Sequence, residues 1–76
     1  MQRTKITLKN VSDVKRFVTE VTALSYEVDL EQGRYIVDGA SIMGIFALDT
    51  LSPIDVVAHT ENADEFFAKF KDFIVE

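Results

Sequence analysis

The chain has no cysteine, a single proline, three glycines and one histidine in 76 residues. Without cysteine, disulfides, thiolate metal sites and cysteine nucleophiles are all excluded. Basic residues are scarce as well, eight against thirteen acidic ones, for a formal charge of −5. They are also scattered: Arg3, Lys5 and Lys9 lie early, Lys15 and Arg16 follow, then Arg34, and Lys69 and Lys71 close the series. Nucleic-acid binding calls for a basic stripe on a positive domain, so that class is set aside. No apolar run approaches the ~20 residues that span a bilayer. The opening Met1-Gln2-Arg3-Thr4-Lys5 leads into alternating residues instead of an apolar segment, so no secretory signal is read and a cytoplasmic location is expected. The glycines Gly33, Gly39 and Gly44 have no phosphate-loop spacing.

What is present is bulky apolar residue. Six Phe, two Tyr and many Val and Ile compensate for a length that buries only about 60% of the unfolded surface. Residues 1–76 therefore read as one domain, with no linker, repeat or low-complexity stretch. Arg3 to Leu8 alternates and predicts a half-buried strand with Ile6 and Leu8 inward. Asn10 is a strong N-cap with Asp13 three residues on, and Val14, Phe17, Val18, Val21 and Leu24 form one helical stripe. Tyr26 to Glu31 and Tyr35 to Asp38 flank the turn Gln32-Gly33-Arg34 and predict a hairpin. Ser41 opens a short helix ending near Asp49 and Thr50, and Ser52-Pro53 marks a turn. Ile54 to Thr60 is β-branched enough for a central strand. Asn62 with Glu65 resembles a capping box, and Ala63, Phe66, Phe67, Phe70, Phe73 and Ile74 are expected as the last helical stripe, facing the core.

The order β-α-β-β-α-β-α predicts an α+β, two-layer open-faced sandwich. Three helices cover one face of a four-stranded antiparallel sheet, and the alternating Glu27, Asp29 and Glu31 suit a second face in water. One segment has more apolar residues than a core needs. After Ser41, the side chains of Ile42, Met43, Ile45, Phe46 and Leu48 cannot all face one way on a helix. Some remain at the surface beside a hydroxyl, which is the composition of a docking patch.

Ser41-Ile42-Met43-Gly44, with the apolar residues and Leu48 that follow, resembles the regulatory-serine segment of HPr, the small phosphocarrier of the bacterial sugar phosphotransferase system. The resemblance extends through the element order to essentially the whole chain and implies strand order 1-4-2-3. It also implies phosphotransferase-system partners. In such proteins of low-GC Gram-positive bacteria the matching serine is phosphorylated by an ATP-dependent HPr kinase. Ser41 is accordingly the candidate phosphorylation site, and Ile42, Met43 and Phe46 are the candidate partner-binding residues. The family often has a basic residue just before that serine; here it is Ala40, and Lys15 or Arg16 would have to supply the charge.

The carrier chemistry of the family departs from this sequence. An HPr carries a histidine at the start of its first helix, followed by a small residue, Arg and Pro. The imidazole takes phosphate from enzyme I and passes it to a sugar-specific acceptor. The matching run here is Asn10-Val11-Ser12-Asp13, so Asn10 replaces the histidine, Ser12 the arginine and Asp13 the proline. An amide has no nucleophilic nitrogen at neutral pH, Ser12 brings no positive charge, and Asp13 opposes an incoming dianion.

The expectation is therefore a non-enzymatic binding or regulatory module without histidine phosphocarrier activity, and without cofactor or metal. Two alternatives stand beside it. One is a phosphocarrier working through His59, though a structural histidine is expected there, because Asp55 lies four residues away along a strand and no helix start aims at it. The other is an unrelated small α+β interaction protein, for instance a homodimer through a sheet edge or the Ser41 patch. Glu61, Asp64 and Glu65 read as a solvated helix start in preference to a metal site.

Overall fold

The computed structural model describes residues 1–74. In chain order the elements are β1 (Gln2–Ile6), α1 (Val11–Thr22), β2 (Val28–Gln32), β3 (Tyr35–Asp38), α2 (Ile42–Phe46), β4 (Ile54–Ala58) and α3 (Ala63–Phe70). The strands form one antiparallel sheet in the order β1-β4-β2-β3. All three helices lie on one of its faces. The fold is thus the open-faced α+β sandwich that the alternation and caps predict.

Period-two alternation explains the two faces. Ile6, Val28, Leu30, Ile54, Val56 and Ala58 point inward and join Val14, Phe17, Val21, Ile45, Phe66 and Phe70 in one buried cluster. Phe17 of α1 meets Phe70 of α3 with ring centroids 5.3 Å apart, and Phe73 edge-on at 5.6 Å. The other sheet face is lined by ion pairs across strands: Arg3 with Glu31 at 3.3 Å, Lys5 with Asp55 at 2.9 Å. Val57 belongs to this polar face yet is buried, because its strand is central and the long side chains of its neighbours close over it.

Several boundaries differ from the sequence reading. β1 ends at Ile6, while Leu8 stays buried in the connection to α1. β2 begins at Val28 and not at Tyr26, and β4 ends at Ala58, leaving His59 just beyond it. α2 stops at Phe46, short of Asp49, because the Gln32 amide holds Asp49 from both sides. Gln32 Nε2 donates to the Asp49 carbonyl and Asp49 N–H donates to Gln32 Oε1, each at 2.8 Å. The expected last stripe also divides. α3 ends at Phe70, so Phe73 and Ile74 lie past it in a turn whose strand-like end bridges Ile6, and Thr7 N–H donates to the Phe73 carbonyl at 3.0 Å. Phe66, Phe70 and Phe73 are buried, but Phe67 is exposed.

The β2–β3 connection is a two-residue turn in which Gly33 takes φ 58°. Glycine at the first central position is what a type II′ hairpin demands.

Candidate functional site

The start of α1 is filled by its own chain. Asn10 is the N-cap, and its Oδ1 accepts the Asp13 N–H at 2.8 Å. Asp13 reaches back, its Oδ2 accepting the Lys9 N–H at 3.0 Å. Two free backbone donors are thereby satisfied by side chains three residues apart. Ser12, at the second helical position, is exposed. The nearest guanidinium is that of Arg16, which is 3.7 Å from Asp13 and 3.5 Å from Asp72 and lies over the Phe73 ring at 5.1 Å. A helix N-terminus ordinarily favours anions. At this one the first turn already carries the Asp13 carboxylate, and the nearby Arg16 cation is shared between two acids.

At the start of α2, Ser41 is the N-cap and its Oγ accepts the Gly44 N–H at 3.0 Å. Gly44 lets α2 sit close against β3: a Cβ there would lie 3.1 Å from Ser41 Oγ and 3.2 Å from Val37 Cβ, tighter than ordinary van der Waals contact. Ile45 and Leu48 turn into the core. Ile42, Met43 and Phe46 face out, with Met43 80% exposed. The structure thus brings a half-buried hydroxyl and three exposed apolar side chains together on one short helix.

The charge around Ser41 is not basic. Asp38 caps the preceding turn, its Oδ1 accepting the Ala40 N–H at 2.9 Å and its carbonyl accepting the Ser41 N–H at 3.0 Å. Arg16, one of the two residues expected to lend positive charge, is instead committed to Asp13 and Asp72. No ion pair among the described residues reaches α2.

His59 lies apart from both helix starts. Its partner is not Asp55 but Asp29 on the neighbouring β2, with Nε2 2.9 Å from Oδ2. The backbone N–H of His59 also donates to the Glu27 carbonyl at 2.9 Å. A carboxylate on the ring and the acidic run of β2 beside it make poor surroundings for a phosphoryl group. Sequence reading missed this pair because the two residues are thirty positions apart, and only the β2–β4 register juxtaposes them.

Glu61, Asp64 and Glu65 do not converge, and no group of three His, Asp or Glu among the described residues could hold a metal ion. Asn62 caps α3 by accepting the Glu65 N–H at 3.1 Å. Tyr26 packs against the core with its hydroxyl buried and unpartnered. Burial, and then the nearby Glu65 carboxylate, push its pKa above the usual tyrosine value. The described surface has no pocket, so any ligand meets an open face.

The strand order and the helices on one face define a class, the small open-faced α+β sandwiches. Comparison with solved structures narrows it. HPr-C-His from Thermoanaerobacter tengcongensis superposes with a TM-score of 0.80 over 97% of this chain and 91% of its own, at 23% identity. The phosphocarrier protein HPr from Bacillus anthracis strain Ames gives a TM-score of 0.72 over 97% and 94%, at 25% identity. No family model and no curated protein sequence matches. The chain is HPr-like, and the likeness spans nearly all of it.

Proposed function

We propose that this HPr-like chain is a protein-binding, regulatory module of the sugar phosphotransferase system that carries no phosphate on a histidine. The observation that carries the reading is the start of α1. At the position that the resemblance matches to the family's histidine, the Asn10 amide is engaged as a helix cap, and the Asp13 carboxylate in the first turn opposes an incoming dianion. Asn10 has no nucleophilic nitrogen, and Ser12 brings no charge to offset a dianion. The docking element is retained beside this lost chemistry, as Ile42, Met43 and Phe46 exposed next to Ser41.

Ser41 is the group on this surface open to modification. Its Oγ accepts one hydrogen bond, and a phosphate added there would keep the Gly44 N–H within reach. An HPr kinase is the partner the family resemblance implies for that step. The partners of the apolar face would be phosphotransferase-system proteins that bind or compete at it. The test has two arms. Incubation with enzyme I and phosphoenolpyruvate should leave the intact mass unchanged. Incubation with HPr kinase and ATP should add one phosphate, and Ser41→Ala should abolish the addition. Acid-labile phosphate in the first arm would overturn the reading in favour of a carrier working through His59. For docking, capture of phosphotransferase-system proteins should fall at least about tenfold in Met43→Asp/Phe46→Asp; capture unaffected by that pair removes the patch as the binding surface.

A further inference from the structure

The sheet has two edges, and they are treated differently. β1 is covered at its C-terminal end, where Thr7 N–H donates to the Phe73 carbonyl and Ile6 bridges Ile74. β3 is open. Gly39 N–H donates to the Val28 carbonyl at 2.8 Å, one step beyond the Leu30↔Val37 pair. Odd-numbered residues of this strand therefore bond inward to β2, and the backbone of Ile36 and the N–H of Asp38 point away from the sheet. Tyr35 and Ile36 on this edge are 63% and 68% exposed. An open edge with large apolar side chains is a template for another strand.

The sequence of the edge specifies which strand. Arg34-Tyr35-Ile36-Val37-Asp38 is complementary to itself when reversed. Arg34 and Asp38 flank Ile36 at equal offsets with opposite charges. Within one chain neither has an ion-pair partner among the described residues, although Asp38 Oδ1 accepts the Ala40 N–H. Asp38 also lies directly opposite another acid, Asp29, in the β2–β3 register. Like charges opposed across strands are unfavourable.

We propose that the β3 edge pairs antiparallel with the β3 edge of a second copy of this chain, about a two-fold axis at Ile36. Ile36 then lies opposite its own counterpart, and the two exchange both backbone hydrogen bonds. Asp38 N–H donates to the Arg34 carbonyl of the other copy, and the reciprocal bond follows by symmetry. On the polar face, each Asp38 gains the Arg34 guanidinium it lacks. On the helix face, Tyr35 packs beside Val37 of the second copy, which relieves its exposure. The two sheets become one continuous sheet, leaving the β1 edges outermost. This pairing is independent of the reading of Ser41 and the α1 cap.

Equilibrium sedimentation at low salt over a wide concentration range tests it. The weight-average mass should rise from that of the monomer towards twice that value. Arg34→Asp makes the edge all acidic and Asp38→Arg makes it all basic, so each variant alone should stay monomeric where the wild type associates. Mixed together they should associate again, because every facing pair is then complementary. The rescue shows that the two edges face one another, and the association of the unmodified chain, in which a parallel register would set like charge against like, gives the direction. Ile36→Cys, in a chain otherwise free of cysteine, should oxidise to a linked dimer at least about tenfold faster than Lys15→Cys on the far side of α1. Asp38→Arg also removes the Ala40 cap, so Ile36→Pro serves beside it: its missing N–H faces outward, which spares the β2 ladder, and it should abolish dimerisation. A wild type that is monomeric throughout overturns the proposal. So does a dimer that survives both Arg34→Asp and Ile36→Pro, or one lost only in Met43→Asp/Phe46→Asp.

Discussion

At the start of α1, Asn10 Oδ1 caps the Asp13 N–H and the Asp13 carboxylate stands where a helix ordinarily favours an anion. That carboxylate, held by the Lys9 N–H, already puts a negative charge in the first turn. Restoring one group should therefore not restore the chemistry. Asn10→His alone should accept little phosphate from enzyme I, since Asp13 still faces the site and no cation has been added. Asn10→His/Ser12→Arg/Asp13→Pro removes the competing carboxylate and adds the guanidinium. An acid-labile mass increase should appear in the triple variant and be at least about tenfold weaker in the single one. Equal labelling of the two would show that Asp13 is no obstacle. A second residue-scale case is Tyr26, whose pKa is raised first by burial and then by Glu65. Above the ordinary value of 10.0, the unfolded chain loses this proton while the native state keeps it. The native state then binds more protons, so its stability falls as pH rises through that region. Tyr26→Phe removes the hydroxyl beside Glu65 and should change stability at neutral pH by no more than about 1 kcal/mol. Denaturant titrations at pH 8 and pH 11 should show a smaller alkaline loss for the variant than for the wild type.

At the scale of elements, α2 is the one whose existence depends most on its neighbours. Five residues cannot sustain a helix by propensity. Its start is the Ser41 cap, its end is fixed by the Gln32 clamp on Asp49, and its buried face rests on Ile45 and Leu48. Gly44→Ala tests how tightly the helix docks. On propensity alone, alanine would gain about 1 kcal/mol. The new Cβ meets Ser41 Oγ and Val37 Cβ, both anchored close to backbone and unable to swing aside. Crowding should outweigh propensity and leave a net loss of about 1 kcal/mol. A loss of that size lowers Tm by about 4–8 °C in a domain this small. Calorimetry showing a higher Tm for the variant would mean that α2 shifts freely on β3. In α1 the balance is simpler. Asn10→Ala should cost about 1 kcal/mol, the worth of an ordinary N-cap, and the exposed pairs of the open face should contribute less than that each.

Across the whole molecule, the sequence made local features legible and left relations between distant segments hidden. Alternation in β2 to β4, the caps Asn10, Ser41 and Asn62, and the stripe Val14-Phe17-Val21 were each readable within a few residues, and together they specify the sandwich. The excess of apolar residues after Ser41 was readable too, because Ile42, Met43, Ile45, Phe46 and Leu48 cannot share one face of any helix, whatever its length. His59 with Asp29, Arg16 with Asp72, and Ile74 against Ile6 were not readable, since each depends on a register or packing angle joining remote positions. The turn carrying Phe73 and Ile74 shows why. Their spacing after Phe70 is helical, but bonding to the β1 end outweighs continuation of α3. That turn brings the aromatic residues into one block: Phe70 lies 5.3 Å from Phe17, 5.4 Å from Phe66 and 6.4 Å from Phe73. A domain of this length has a total stability of about 4–11 kcal/mol at ordinary values per residue. Phe70→Ala should remove about 3–5 kcal/mol of it, through lost burial and the cavity left among three rings. The whole fold is then at risk, not α3 alone, because Phe17 and Phe73 lose the surface that ties α1 and the β1 edge to the last helix. Phe67→Ala, on the exposed side of the same helix, should cost under about 1 kcal/mol. Urea titrations of the two variants should show Phe70→Ala losing about 3–5 kcal/mol of unfolding free energy, with its midpoint shifted far below that of the wild type, and Phe67→Ala near the wild type. Similar midpoints for both would mean that the aromatic block does not bear the stability its burial implies.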